Sequence, residues 1–219
     1  MGVEIELSGA RVRYGPLEAL HGVDLAVPAR ALTVLLGRNG SGRTTALRAL
    51  AGTVALAAGR VVWQGADVTR LPAHLRARRG LCLVPDTRAV HAGLTVADNL
   101  ELAAPDADFT VALDGYPQLR PLLPRRAGTL SGGEQRMLAV SRALLRGARL
   151  VLLDEPTQGM SPPVADRTYD LLAELAREAA VVVAEQRLPP GRTAIVHHLR
   201  RGRVVFSGES AEFGDGSPR

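Results

Sequence analysis

The stretch ALTVLLGRNGSGRTT, residues 31–45, decides the fold. Its apolar beginning, Ala31–Leu36, predicts a buried strand, and the residues that follow Gly42 predict a helix. Between them, GRNGSGRT fits the phosphate-binding pattern G-x-x-x-x-G-K-[ST], except that an arginine stands in the lysine position. Glycines let backbone N–H groups converge on phosphate oxygens, and the helix N-terminus favours the same negative charge. A plain tight turn is the alternative, but the flanking strand and helix favour a phosphate site.

The departure from this pattern is Arg43. Arginine keeps the positive charge, but its planar fork is bulkier than a lysine ammonium and prefers bidentate partners. Two interpretations are open: either Arg43 still neutralises phosphate and nucleotide binds, or the site binds weakly or hydrolyses slowly. The hydroxyl of Thr44 is suited to Mg²⁺. The candidate nucleotide ligands of the loop are Gly37, Arg38, Asn39, Gly40, Ser41, Gly42, Arg43, Thr44 and Thr45.

A second motif, LVLLDEP at Leu150–Pro156, predicts a buried strand that ends in two carboxylates. Asp154 is placed to hold Mg²⁺, directly or through water, and Glu155 is placed to orient or deprotonate an attacking water. Taken alone, the pair could be a solvated strand end. Beside a phosphate loop, it predicts hydrolysis of a nucleoside triphosphate.

A third motif, LSGGEQ at Leu130–Gln135, stands just before a predicted helix that runs to about Arg146. Ser131 and Glu134 have the spacing of a capping box, which marks the start of that helix. Two glycines and a serine at a helix N-terminus also make an anion site. An ordinary capping box is the alternative interpretation of this motif.

In this order and spacing, the three motifs resemble those of ATP-binding subunits of ABC transporters, and the resemblance extends across nearly the whole chain. It implies that the chain binds ATP and Mg²⁺ and hydrolyses ATP. In this family the LSGGEQ helix contacts the γ-phosphate held by the opposite subunit. The resemblance therefore implies a second ABC ATPase subunit, in a homodimer or a heterodimer. The residues that would complete the partner's site are Ser131, Gly132, Gly133, Glu134 and Gln135.

Three further positions take their interpretation from this resemblance. Tyr14 matches the aromatic residue that stacks on adenine; a half-buried strand tyrosine is the alternative. Asp86 occupies the position usually held by Gln or Glu near Mg²⁺, and its reach is shorter. Gln186 occupies the position of the switch histidine, where it would join Glu155 as a catalytic residue. Its amide can donate a hydrogen bond to a γ-phosphate but cannot carry a charge.

Residue types at LPAH (71–74), LTVADNL (94–100) and EQ (185–186) are most similar to ATPase subunits of importers for branched-chain amino acids, amides or urea. This similarity implies import of amino acids or related small polar solutes through a separate integral membrane permease. The apolar runs are far shorter than the roughly 20 residues that span a membrane. We therefore expect a cytoplasmic protein, peripheral on the inner face of the cell membrane. The cargo, the transport direction and the choice between homodimer and heterodimer stay open.

The 219 residues, 46% of them hydrophobic, suffice for one domain. Buried strands alternating with helices predict an α/β fold with a mainly parallel core sheet, preceded by an N-terminal antiparallel β-region. We place a single nucleotide-binding domain at residues 1–207, a shortened helical subdomain at about 87–146 within it, and a flexible tail at 208–219. The last predicted elements are the helix Pro162–Ala179, the strand Ala180–Ala184 and a hairpin of Val196–Leu199 with Arg203–Phe206.

The net charge is +5, and all 27 basic residues are arginines. A basic balance is also typical of nucleic-acid binding, but the arginines are scattered, so no nucleic-acid partner is expected. Two alternatives to a transport ATPase remain. Arg43, Asp86 and the short helical segment favour a regulatory subunit with little hydrolysis of its own, whereas Glu155 and LSGGEQ argue against it. A soluble, non-transport ABC ATPase acting on RNA or ribosomes fits a single domain less well.

Overall fold

The computed structural model describes residues 2–87, 89–104 and 108–213. These residues form the expected α/β fold, with a four-stranded antiparallel sheet and a six-stranded, mainly parallel sheet. None of the described helices has the length and apolar character needed to cross a bilayer. The strands are β1 (Val3–Tyr14), β2 (Leu17–Pro28), β3 (Leu32–Leu36), β4 (Ala58–Trp63), β5 (Ala66–Asp67), β6 (Leu81–Val84), β7 (Leu150–Asp154), β8 (Ala180–Glu185), β9 (Ile195–Arg200) and β10 (Arg203–Glu209).

Two of the helices begin at side-chain caps that the sequence supplies. The hydroxyls of Thr95 and Ser131 each accept a hydrogen bond from the N–H three residues later, and the carboxylate at that position accepts one in return. Both capping boxes are therefore complete, which fixes where these helices start. The helices are α1 (Arg43–Ala51), α2 (Ala73–Arg78), α3 (Val96–Glu101), α4 (Thr110–Gly115), α5 (Gly132–Leu145) and α6 (Pro162–Leu175), with 3-10 turns at Pro117–Leu122 and Ala127–Thr129.

The six-stranded sheet has the order β10-β9-β3-β8-β7-β6. From β9 to β6 all neighbours are parallel, and β10 pairs with β9 in the antiparallel sense. Parallel strands end at the same edge of a sheet, so the segments that follow β3, β6, β7 and β8 meet there. The register places Leu36 beside Glu185 and Asp154 beside Ala184. This edge therefore gathers the phosphate loop and the acidic pair of the second motif.

Both faces of this sheet are buried. On one face, Leu153 and Val183 belong to a core that includes residues of α3, α4, α5 and α6. On the other face, Leu152 and Val182 join a core built from α1 and the N-terminal sheet. Neighbouring residues of a strand point to opposite faces, so an unbroken apolar run fits a strand that is covered on both sides. Each such side chain contributes about 1.5–3 kcal/mol through its removal from water, which holds the strand ends in place.

Two predicted boundaries differ from the structure by more than one residue. The helix predicted at Pro162–Ala179 ends at Leu175, because the chain must turn before Ala180 donates a backbone hydrogen bond of 2.9 Å to Arg149 and starts β8. The last strand also extends past residue 208, where the tail is predicted to begin. β10 continues to Glu209, the following N–H bonds to Ala194 at 2.8 Å, and the Phe213 ring packs against Phe206 at 5.2 Å. Residues 214–219 of that tail lie outside the described residues.

Candidate functional site

A cleft of 690 Å³ opens at the carboxyl edge of the parallel strands. It brings together residues of the phosphate loop and of the acidic strand end, with Tyr14 and Asp86. Gly37 lies in the loop below the cleft, buried against Leu199 and Ser41, and Arg38 is exposed beside it; neither lines the cleft. The predicted residues that line it are Tyr14, Asn39, Gly40, Ser41, Gly42, Arg43, Thr44, Thr45, Asp86, Asp154 and Glu155.

The phosphate loop presents backbone donors and glycines with left-handed dihedral angles. Gly40 and Gly42 have φ of 77° and 105°, which side-chain-bearing residues adopt only with strain. Gly42 caps α1 without any side-chain hydrogen bond, and the helix ladder begins only where Ala46 donates to its carbonyl at 2.9 Å. The N–H groups of the first turn are therefore available to an anion. The buried hydroxyl of Ser41 also has no hydrogen-bond partner within the described part of the chain.

The residues predicted to hold Mg²⁺ all line this cleft. Asp154 is only 4% exposed, and burial raises the pKa of its carboxyl group, while Thr44 and Arg43 oppose that shift. One carboxylate oxygen of Asp86 is buried without a hydrogen-bond partner, and Arg48 lies 3.9 Å from it. Among the described residues, no group of three or more His, Cys, Asp and Glu side chains forms a metal site. The donor set nevertheless fits Mg²⁺, which uses one or two carboxylates and completes its shell with phosphate oxygens and water.

Glu155 is held by two neighbouring side chains. Arg43 Nη2 donates to its Oε1 at 3.1 Å, and Gln186 Nε2 donates to the same oxygen at 3.1 Å. Arg43 is 5% exposed and also contacts Asn39 at 3.3 Å, while its Nη1 has no partner among the described atoms. The backbone of Glu155 is itself in the left-handed region, with φ of 47°. Strain of this kind in a non-glycine residue concentrates at functional sites.

The LSGGEQ residues do not line this cleft. Gly132 and Gln135 instead line a second cleft of 360 Å³, together with Asp86 and Gln158. Ser131 and Glu134 are engaged with each other's backbone, which leaves the helix start rigid and open to solvent. Gly133 lies so close to the Gly159 carbonyl that a Cβ would approach it to 2.8 Å. The start of α5 therefore lies outside the cleft that this chain's own phosphate loop lines.

Tyr14 is 43% exposed at the end of β1, and the neighbouring Leu17 lines the same cleft. Tyr14 is thus a strand residue that lines the cleft and is roughly half buried, which fits adenine stacking and the half-buried strand tyrosine alike. Sequence reasoning missed several other lining residues. They are Leu17, Glu18, Ala19, His21, Gln158, Arg201 and Gly202.

The turn between β9 and β10 reaches the phosphate loop. Gly202 N–H donates to the Ser41 carbonyl at 2.8 Å, and His21 N–H donates to the Gly202 carbonyl at 2.9 Å. The hairpin turn itself follows from the sequence pattern. The contact of this turn with the phosphate loop, about 160 residues earlier, cannot be predicted from neighbouring residues, because it depends on the order of strands in the sheet.

Sequence reasoning also missed Arg136 in α5. Its guanidinium is 7% exposed, donates to the Pro85 carbonyl at 2.8 Å, and also bonds to the carbonyl of Asp86. The helix that carries LSGGEQ is therefore tied to the segment that carries one predicted Mg²⁺ ligand.

Known proteins resemble this chain in sequence and in fold. A family model described as ABC transporter matches residues 20–158. The chain is 36% identical over 210 residues to the probable branched-chain amino acid transport ATP-binding protein LivF of Archaeoglobus fulgidus, covering 91% of this chain and 89% of that protein. The high-affinity branched-chain amino acid transport ATP-binding protein BraG of Pseudomonas aeruginosa is 35% identical over 205 residues, covering 88% and 87%.

The solved structures agree on the fold. A nucleotide-free ATP-binding cassette from an ABC transporter superposes with a TM-score of 0.82 at 22% identity, over 94% of this chain and 91% of that one. At this identity the superposition speaks for the fold alone, whereas the sequence relatives establish the family. The chain belongs to the ABC transporter family, as one of its ATP-binding ATPase subunits.

Proposed function

We propose that this chain energises the import of branched-chain amino acids or related small polar solutes through a separate integral membrane permease. The observation that carries the proposal is its 36% identity, over most of both chains, to a probable branched-chain amino acid transport ATP-binding protein. The cleft supports it, because residues of the phosphate loop and of the acidic strand end converge there. In this proposal the protein acts at the cytoplasmic face of the membrane, docked on its permease.

The proposed roles are those that the family resemblance implies, given to residues of the phosphate loop and the cleft. The loop Gly37–Thr45 and the start of α1 cradle the phosphates of ATP, and Tyr14 stacks on the adenine. Thr44, Asp154 and Asp86 would hold Mg²⁺. When bound, this ion neutralises charge on the β- and γ-phosphates.

The proposed reaction is hydrolysis of the terminal phosphoanhydride bond. Glu155 accepts a proton as water attacks the γ-phosphorus, the bond to the bridging oxygen breaks, and ADP and phosphate leave. Gln186 contributes a hydrogen-bond donor near the same point. Its contact with Glu155 at 3.1 Å supports this pairing.

A second ABC ATPase subunit completes each site in this proposal. Support comes from the separate cleft around Gly132 and Gln135, since a helix start that lies outside the cleft of its own phosphate loop can serve a partner's nucleotide. ATP binding would close two subunits around two nucleotides, and hydrolysis would reopen them. This closure would drive the permease between its inward- and outward-facing states.

One observation favours a second candidate function, a subunit whose own site turns over slowly. The Arg43–Glu155 ion pair occupies the carboxylate that must accept a proton. In this version, LSGGEQ of this chain serves an active site on a different partner subunit. Replacing Gly132 would then abolish ATPase activity of the complex, whereas Arg43→Ala would leave it within about twofold of the parent.

The experiment that tests transport starts from native membranes. The tagged chain is isolated with the proteins that bind it, and the complex is reconstituted in liposomes that contain ATP on the appropriate side. We expect uptake of labelled leucine, isoleucine or valine that requires ATP and is lost in the matched Glu155→Gln complex. Isolation of the chain without any integral membrane protein, or with RNA instead, would contradict the proposal and favour a soluble ATPase.

A further inference from the structure

The last residue of β8, Glu185, is a carboxylate at the end of the apolar run AVVVA, and only 9% of it is exposed. Burial raises the pKa of this carboxyl group, and the neighbouring charge of Glu155 raises it as well, while its hydrogen-bond donors and Arg43 oppose the shift. A buried carboxylate is less favourable than an apolar residue of similar size unless it is well hydrogen-bonded. Its partners therefore indicate its role.

Two hydroxyl groups satisfy this carboxylate. The Tyr169 hydroxyl of α6 donates to Glu185 Oε1 at 2.7 Å, and the Thr157 hydroxyl donates to the same oxygen at 3.3 Å. The two hydroxyls lie 3.3 Å from each other, so the three groups form a closed triangle. Burial raises the pKa of Tyr169, which keeps its hydroxyl protonated and able to donate.

This triangle connects three segments that meet at Glu155. The backbone carbonyl of Glu185 accepts a hydrogen bond of 3.1 Å from Gly37, where the phosphate loop begins. The next residue, Gln186, donates to the carboxylate of Glu155. Thr157 lies two residues after Glu155, in a turn closed by the bond from Gln158 N–H to the Glu155 carbonyl at 3.2 Å.

We propose that Glu185 is a positioning residue for ATP hydrolysis: through Thr157 and Tyr169 it holds the turn after Glu155 and the Gln186 side chain in fixed relation to the attacking water. The inference rests on the proposed role of Glu155 as the proton acceptor. Glu185 acts through its neighbours and does not itself line the nucleotide cleft. A catalytic group held a fraction of an ångström out of place loses much of its effect, so the triangle bears on turnover more than on ATP affinity.

The test removes single hydroxyls and leaves shape unchanged. Tyr169→Phe and Thr157→Val each delete one donor to Glu185. We expect each to lower kcat for ATP roughly tenfold, as the loss of one hydrogen bond to a charged group does, with ATP affinity within about twofold of the parent. Because both substitutions act on the same carboxylate, the double variant should lose far less than the product of the two effects. Glu185→Gln, which keeps an acceptor oxygen, should retain more activity than Glu185→Leu.

Tyr116→Phe is the matched control. Tyr116 is also buried, and its hydroxyl lies 2.8 Å from the hydroxyl of Thr168. Thr168 is on the same helix as Tyr169, but the hydrogen bond of Tyr116 does not involve Glu185. A purely structural role predicts equal effects of Tyr116→Phe and Tyr169→Phe on Tm and on kcat. We expect comparable losses of Tm but a fall in kcat for Tyr169→Phe alone.

Single-turnover hydrolysis of γ-labelled ATP provides the rates, and Glu155→Gln is measured alongside. If Glu155→Gln abolishes hydrolysis while Tyr169→Phe and Thr157→Val match the Tyr116→Phe control, the positioning inference is overturned and the proposed function stands. If Glu155→Gln hydrolyses ATP like the parent, the assignment of Glu155 fails, and the inference fails with it.

Discussion

Replacing Arg43 with lysine should accelerate ATP hydrolysis at this chain's own site. In the structure, Arg43 Nη2 lies 3.1 Å from Glu155 Oε1, and the two side chains are 5% and 16% exposed. The guanidinium has a second terminal nitrogen, Nη1, which has no partner among the described atoms. A bound phosphate can use Nη1 while Nη2 stays on Glu155. ATP can therefore bind while the proton acceptor remains occupied.

Lysine places its three donors on one compact nitrogen, so we expect an ammonium that contacts phosphate to hold the Glu155 carboxylate less firmly than the guanidinium fork does. A hydrogen bond to a charged group contributes about 1.5–3 kcal/mol, which corresponds to roughly 10- to 150-fold in rate. We expect the Arg43→Lys variant to raise kcat by a factor in that range and to leave the Kd for ATP within about threefold.

The assay is phosphate release in a single turnover, with enzyme in excess over γ-labelled ATP and Mg²⁺. Arg177→Lys, an exposed exchange of the same kind outside the cleft, is the control. Adding Glu155→Gln to the Arg43→Lys variant should abolish the increase in kcat. That loss would show that the increase arises at this chain's own site. A kcat that stays within about twofold of the parent, or falls, would refute the reasoning about the ion pair.

The remaining predictions concern the catalytic carboxylate, the core and the buried histidine. Glu155→Gln should lower kcat by about 10²- to 10⁴-fold with ATP affinity retained, as measured by phosphate release and calorimetry; equal loss of affinity would contradict its role as proton acceptor. Leu152→Ala, at a fully buried position, should lower the free energy of unfolding by about 2–5 kcal/mol in urea titrations, and a loss below ~1 kcal/mol would contradict the packing described. His197 bonds to the Ala26 carbonyl at 2.9 Å and to Ser207 at 2.8 Å, and burial lowers its pKa below the ordinary value of about 6.5. Because the folded state disfavours the charged ring, its contribution to stability is present above that pH and is lost as the pH falls below it. The decline of Tm between about pH 7 and pH 5 should therefore be shallower in His197→Gln than in the parent.

The sequence predicts those parts of the site whose signals are local. The strand, glycine turn and helix around Gly37–Thr45 are consecutive, so their chemistry and conformation can be worked out together. The same holds for the acidic pair after β7 and for the capping box of Ser131 with Glu134. The hairpin at Arg201 and Gly202 also follows from pattern. These features depend on a few neighbouring residues and on the periodicity of burial.

Contacts between distant segments could not be predicted in this way. The ion pair of Arg43 with Glu155 joins residues 112 positions apart, and the bond of Gln186 to Glu155 joins residues 31 apart. In the sequence, Glu185 stands out only as part of the pair EQ that is similar to importer ATPases. Its contacts with Tyr169 on α6 and Thr157 after β7 depend on how the strands are ordered in the sheet. Helix ends are similarly set by the next element of the chain. The α6 helix stops at Leu175 because the chain must enter the sheet at Ala180.

The ATPase cycle proposed for this chain's own site requires that it bind ATP with Mg²⁺ through its phosphate loop, and equilibrium titration of ATP into the purified chain tests this most directly. Calorimetry with and without Mg²⁺, beside Arg43→Ala, measures both the affinity and the loop's part in it. We predict one ATP per chain with a Kd between about 1 μM and 1 mM, weaker without Mg²⁺ and at least about tenfold weaker in Arg43→Ala. Absence of binding at millimolar ATP, or an affinity that neither Mg²⁺ nor Arg43 affects, would contradict it.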